Sequence, residues 1–150
     1  MQRETLELQA RLNQLYKESD ELYHRLALQF GLSDAAASVI YSLCESDQPY
    51  SQKELCAQWS LTKTTINSAV NGLVKEGFVS LTPSPDNYKV KLVSLTDSGK
   101  ELGNRFVRPL INAEQNAFNR LSEGEREALL TLSKKHLEIL REEISGLLKE

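Results

Sequence analysis

Thr64, Ser68, Asn71 and Lys75 recur at intervals of four, three and four residues, in a stretch whose other positions include Ile66, Ala69, Val70, Leu73 and Val74. At 100° per residue the two sets fall on opposite arcs of one helix from Lys63 to Glu76. Thr65 and Gly72 stand at one margin of the polar arc and Asn67 at the other. The arc offers hydroxyls, amides and ammonium groups, with no carboxylate before Glu76. That is the chemistry of a DNA major groove: Asn can bond adenine at two points, Ser and Thr can bond bases or phosphates, and a Thr methyl can meet a thymine methyl. A solvated helix face has a similar composition, so the flanking residues have to separate the two readings.

A second set follows. Lys89 and Lys91 alternate onto one face of a predicted strand, beside a turn carrying Asn87 and Tyr88. The hairpin reads as a wing whose lysines reach phosphate or a minor groove while the helix occupies the adjacent major groove. Edge-strand lysines also oppose aggregation, so the wing reading depends on the helix before it.

Other candidate chemistry is sparse. Glu21 and His24 share a helical face, a metal-compatible pair, but they lack the further ligands that a helical metal centre uses. Cys44 and Cys56 belong to no zinc-spaced cluster and read as small apolar residues, with thiol sensing as the alternative. No glycine-rich phosphate loop, GxSxG or HExxH is present, so an enzyme is not expected, nor a cofactor or metal.

The elements that must position the two polar sets follow from periodicity and capping. Leu8, Leu12, Leu15, Leu22 and Leu26 form one stripe of a long helix that ends at Gly31. Ser33 caps a second helix with Ala36, Val39, Ile40, Leu43 and Cys44 inward, and Gln48 to Tyr50 break the chain. Ser51 and Glu54 form a capping box for a short helix ending near Trp59, and Thr62 caps the helix that stops at Gly77. Two helices joined by a tight turn are a helix-turn-helix. Strands are expected at Phe78 to Thr82 and Lys89 to Leu95 around the turn-forming residues 83–88. Thr96 caps a helix carrying Leu102, Phe106, Leu110, Ala113 and Ala117, with a bend at Pro109. Ser122 and Glu125 are a second capping box, and the last helix repeats Leu130, Leu137 and Ile144 against Ser133, Leu140 and Leu147 at heptad spacing.

The fold class is therefore mainly α with a small β-hairpin. A winged helix-turn-helix lobe over 33–96 lies between long helical regions, 1–32 and 97–150, whose apolar stripes suit dimerisation by a second copy. The 150 residues, 40% hydrophobic, suffice for a core. No apolar run is long enough for a membrane span and the N-terminus lacks a signal-peptide core, so a cytoplasmic protein with no membrane partner is expected. The net charge of −3 does not favour nucleic acid, but it is unevenly placed. Residues 1–50 carry 4 basic and 8 acidic side chains, 51–96 carry 5 and 3, and 97–150 carry 9 and 10. Only the expected lobe is basic, by a small margin. The acidic total and scarce arginine keep a winged-helix protein-interaction module open as the alternative.

From about Leu6 to Leu148 the chain resembles the MarR family of multiple antibiotic resistance regulators. The resemblance rests on Ser51 to Leu55 (SQKEL), Thr62 to Val79 (TKTTINSAVNGLVKEGFV), Leu95 and Thr96 with Gly99, and Leu121 with Ser122 at the start of the last helix. It implies a homodimer of winged lobes held by the terminal helices, binding double-stranded DNA at a near-palindromic operator. It also implies transcriptional regulation, often repression relieved by a small aromatic or phenolic effector. The family's effector cleft would fall near Tyr16, Tyr23, Phe30 and Tyr41, for which aromatic core packing is the plainer reading. The chain departs from the family in two places: Ser68 and Asn71 replace a frequent arginine and acidic residue, and Asn87-Tyr88-Lys89 replaces the wing pattern Asp-x-Arg. Lys89 keeps a charge without the planar fork of arginine.

Overall fold

The computed structural model describes residues 1–46 and 48–148. Its elements run α1 (Gln2–Gln29), α2 (Asp34–Ser46), β1 (Tyr50–Ser51), α3 (Gln52–Trp59), α4 (Lys63–Lys75), β2 (Val79–Pro83), β3 (Lys91–Leu95), α5 (Asp97–Asn119) and α6 (Glu123–Ser145). The chain forms two compact units, Met1–Arg108 and Pro109–Glu150. No single helix among the described residues is long and apolar enough to cross a membrane.

Local chemistry accounts for most boundaries. Gly31 at φ +69° lets the chain leave α1, and the Ser33 hydroxyl accepts the Ala36 amide at 3.1 Å to open α2. Ser51 accepts from the Glu54 amide at 3.1 Å while the Glu54 carboxylate accepts the Ser51 amide at 2.7 Å; Ser122 and Glu125 repeat the arrangement at α6. Thr62 Oγ1 accepts the Thr65 amide at 3.2 Å, and Gly77 at φ +80° follows the end of α4.

The core of the first unit gathers Val39, Ile40 and Leu43 from α2, Leu55 from α3, Ile66, Val70 and Leu73 from α4, Val79 and Val93 from the sheet, and Leu102, Phe106 and Val107 from α5. Phe30 at the end of α1 lies against Phe106 with ring centroids 5.2 Å apart. Val74, expected on the inward arc, is 40% exposed. It follows Leu73 by 100°, which carries it to the edge of the buried stripe.

The sheet has three strands rather than a hairpin's two, in the order β1-β3-β2, all antiparallel. Tyr50 and Ser51, expected only as a chain break and a cap, pair with Val93 and Leu92. Val79 opposes Leu95 and Pro83 opposes Lys91, so β3 begins two residues later than expected. Lys89 therefore lies in the turn and not on the strand beside Lys91. The cause is local: Asn87 accepts the Lys89 amide on Oδ1 at 3.2 Å and the Val90 amide on its carbonyl at 2.9 Å, curling the chain before the ladder begins.

In the second unit, the continuation of α5 and the whole of α6 bury little. Ala113 and Ala117, expected inward, are exposed, and α6 has no buried residue in the single chain. Leu130, Leu137, Leu140 and Ile144 all remain accessible. The helix α5 continues through Pro109.

Candidate nucleic-acid interface

Helix α4 is held from one side. Ile66, Val70 and Leu73 are almost completely buried, and Ala69 joins them against the core. The opposite side leaves Lys63, Thr64, Thr65, Asn67, Ser68, Asn71 and Lys75 exposed. Thr64, Ser68, Asn71 and Lys75, with Thr65 and Asn67 at the margins, are the residues that the helical periodicity assigns to groove contact, and all are accessible; Lys63, exposed at the helix start, completes the expected DNA-contact set. Thr65 spends part of its hydroxyl capacity locally, accepting from Thr62 Oγ1 at 2.9 Å. The amides of Asn67 and Asn71 make no side-chain bond among the described residues, so their donors and acceptors are available to a partner. The first turn of α4 contains no acidic residue and its last turn carries Lys75, which suits approach to a polyanion.

A groove of about 730 Å³ runs beside this helix, between it and the start of α2. Its walls include Gly31, Leu32, Thr64, Ser68 and Gly72. Adding a Cβ at Gly72 would meet nothing within 4 Å. The glycine thus keeps this part of the surface low without relieving any contact inside the protein.

The turn before α4 is short and strongly shaped. Ser60 takes a left-handed conformation, φ +52°, rare for a residue with a side chain. Its amide and that of Leu61 both donate to the Cys56 carbonyl. Behind α4, Thr96 Oγ1 donates to the Gly77 carbonyl at 2.6 Å and accepts the Gly99 amide at 3.1 Å. The Thr96 amide donates to the Phe78 carbonyl at 3.1 Å. One residue thereby ties the exit of α4 to the first turn of α5. A Cβ on Gly99 would run into the Phe78 carbonyl oxygen, so only glycine allows this approach.

The wing presents Asn87, Tyr88, Lys89 and Lys91, all exposed, with Tyr88 74% accessible at the tip. Asn87 is committed on its oxygen to the turn, which leaves its amino group outward. The Ser84 amide donates to the Val90 carbonyl at 2.8 Å and closes the loop behind it.

The four aromatic residues of the expected effector cleft occupy different settings. Tyr16 and Tyr23 project from α1 and are largely exposed, Phe30 packs on Phe106, and Tyr41 meets Trp59 edge-on at 6.1 Å. The groove beside α4 includes none of them. His24 pairs through Nδ1 with Asp34 at 2.8 Å rather than with Glu21 on its own helix. That hydrogen bond, and the Asp34 charge behind it, raise the histidine's pKa above its ordinary value.

Sequence reasoning missed two sets of contacts that shape this surface. One is the hydroxyl of Thr96, read only as a cap. The other joins Ser42, Gln58 and Trp59 behind the turn: Trp59 Nε1 donates to Ser42 Oγ, and Ser42 Oγ donates to Gln58 Oε1, each at 2.7 Å. The available signal was a serine on an otherwise apolar arc of α2, opposite a tryptophan whose N–H needs an acceptor.

A helix-turn-helix followed by a β-hairpin, with β1 added to the same three-stranded sheet, defines the chain as a winged-helix protein. Residues 30–87 match the sequence model of the MarR family. The chain is 30% identical over 90 residues to the HTH-type transcriptional repressor NicR of Pseudomonas putida, a stretch that covers 60% of this chain and 57% of NicR. Among solved structures it is similar to NMB1585, a MarR family regulator from Neisseria meningitidis, with a TM-score of 0.75, 19% identity, and 93% and 97% of the two chains covered. It is also similar to MepR of S. aureus in its DNA complex, with a TM-score of 0.71, 20% identity, and 87% and 96% covered. At these identities the structural likeness speaks for the fold.

Proposed function

We propose that this protein is a sequence-specific, double-stranded-DNA-binding transcriptional regulator of the repressor type. In this reading it acts in the cytoplasm as a homodimer on a near-palindromic operator and is not an enzyme. The carrying observation is the outward face of α4: seven exposed residues rich in hydroxyl, amide and ammonium groups, with no carboxylate among them, on a helix anchored by its opposite side. Lys89 and Lys91 on the wing supply phosphate contacts beside it. The match of residues 30–87 to the MarR family model supports the same reading, as does the similarity to NicR, a transcriptional repressor, and to MepR, seen with DNA.

The dimer rests on the exposed leucine-rich surfaces of α1 and α6, each described within its own unit, and an isologous pair of copies is the simplest cover. Effector control by a small aromatic compound rests on Tyr16, Tyr23, Phe30 and Tyr41, through the family resemblance. The test of the central claim is selection of bound fragments from the source genome, followed by mobility shifts on the selected site and a scrambled duplex. Tight binding to an inverted repeat is expected. Equal, weak binding to both duplexes, or none, would leave the winged lobe as a protein-interaction module.

A further inference from the structure

Base reading requires that a side chain be held to within about 0.5 Å of its productive position, so what fixes α4 matters as much as what α4 carries. The element in front of it, α3, is eight residues long and has a single buried side chain, Leu55. One apolar anchor locates a short helix but leaves it free to rock about that point. A second fixation lies at its far end, and it is polar. Ser42 of α2, 1% exposed, is the one buried polar side chain among the described core residues. It uses its hydroxyl proton on Gln58 and an acceptor lone pair on Trp59 Nε1, both at 2.7 Å. Gln58 and Trp59 are consecutive, so the two bonds hold both the height and the rotation of the last turn of α3. Tyr41 meets the indole edge-on.

The chain then has only Ser60, Leu61 and Thr62 before α4 begins, with Ser60 fixed in its left-handed conformation and Leu61 bonded back to Cys56. A turn this short cannot absorb a rotation of α3. Any such rotation passes to Lys63, Thr64 and Asn67 at the start of the recognition helix. An alanine at position 42 would fill much of the same space and spare the desolvation of a hydroxyl; what it would lack is direction.

From this geometry we infer that Ser42, Gln58 and Trp59 are positioning residues for DNA reading: a buried hydrogen-bonded latch that sets the entry of the recognition helix and thereby operator discrimination. The inference rests on the DNA-binding reading above. It assigns a role to three residues that touch neither bases nor phosphates.

The test uses the full chain carrying Ser42→Ala, Trp59→Phe, or both. Trp59→Phe keeps an aromatic ring at a residue that is 36% exposed and removes the N–H donor together with the five-membered ring, so it guards against misfolding of the buried variant. Binding to the selected operator and to a scrambled duplex is measured across salt concentrations, with amide hydrogen exchange at Leu61 as a DNA-free readout. Each single variant is expected to lower the operator-to-scrambled affinity ratio about tenfold, with an unchanged salt slope because no phosphate contact is lost. Exchange at Leu61 should quicken. The double variant should be no worse than the poorer single one, since Ser42→Ala already removes the bond that Trp59→Phe removes. Single variants that keep the wild-type ratio and lose only thermal stability would overturn the latch while leaving the DNA reading intact, as would strictly additive losses. Failure of the wild type to bind any selected duplex would remove the DNA reading itself, and the latch with it.

Discussion

If the proposed DNA reading holds, Asn71 and Lys89 should separate base recognition from phosphate binding. Asn71 stands on the exposed arc of α4 with its amide uncommitted, so Asn71→Ala should cost about 1 to 3 kcal/mol per half-site and relax preference at one base pair. Lys89→Ala should weaken operator and scrambled duplex alike and lower the log-log salt slope by about one per subunit. Titrations of both duplexes at several salt concentrations distinguish the outcomes, and an unchanged slope for Lys89→Ala would show that the wing lysine is no phosphate ligand. Position 24 gives a third measurement. The Asp34 partner raises the folded-state pKa of His24, so the pair's stabilisation is fully present below the unfolded value of about 6.5 and fades as pH rises through the folded one. His24→Gln should therefore lower Tm in mildly acidic buffer and converge with the wild type in alkaline buffer; a constant difference across the range would refute the linkage. At this scale the polar arc of α4 was legible because a helix obeys one angular rule over its whole length. The partners of Ser42 and His24 were not, because each bond joins side chains 10 to 17 residues apart whose meeting depends on how two helices pack.

Capping explains why the helices were easier to foresee than the sheet. Ser51, Thr62 and Ser122 act within three residues of themselves, and all three caps stand where the sequence suggests. Strand β1 has two residues and exists only because β3, some 40 positions on, offers it an edge; no local pattern announces such a strand. The start of β3 was misplaced for a related reason, since the Asn87 side chain competes with the ladder for the Lys89 amide. Packing between α2 and α5 yields a prediction at the same level. A Cβ on Gly103 would collide with Cys44 Sγ, so the two helices approach as they do because one residue lacks a side chain. Gly103→Ala should cost about 1 to 3 kcal/mol through overpacking, and Cys44→Ala in the same chain should recover part of it. Denaturant melts of the two single variants and the double variant decide the matter; additive losses would mean that the contact does not limit the approach.

A single copy exposes more leucine than a stable solitary protein usually shows. With no buried residue along α6 and with Leu8, Leu15 and Leu22 accessible on α1, the chain should sediment at twice 16.9 kDa. Leu137→Lys combined with Leu140→Lys should shift it toward the single mass and weaken operator binding, because one recognition helix cannot read an inverted repeat whose half-sites lie about 10 bp apart. A species that stays at 16.9 kDa at micromolar concentration would contradict the pairing of copies. The sheet has a bearing on how such a molecule fares when crowded. In the order β1-β3-β2, the outer side of β2 is open, and an open strand invites a stranger's backbone to extend it. Pro83, the last residue of β2, has no N–H to offer, and Lys91 lies opposite it in register. Growth of a cross-molecular sheet from this wing is thus checked at its tip by a missing proton and a charge, which favours long storage in concentrated solution without fibril formation.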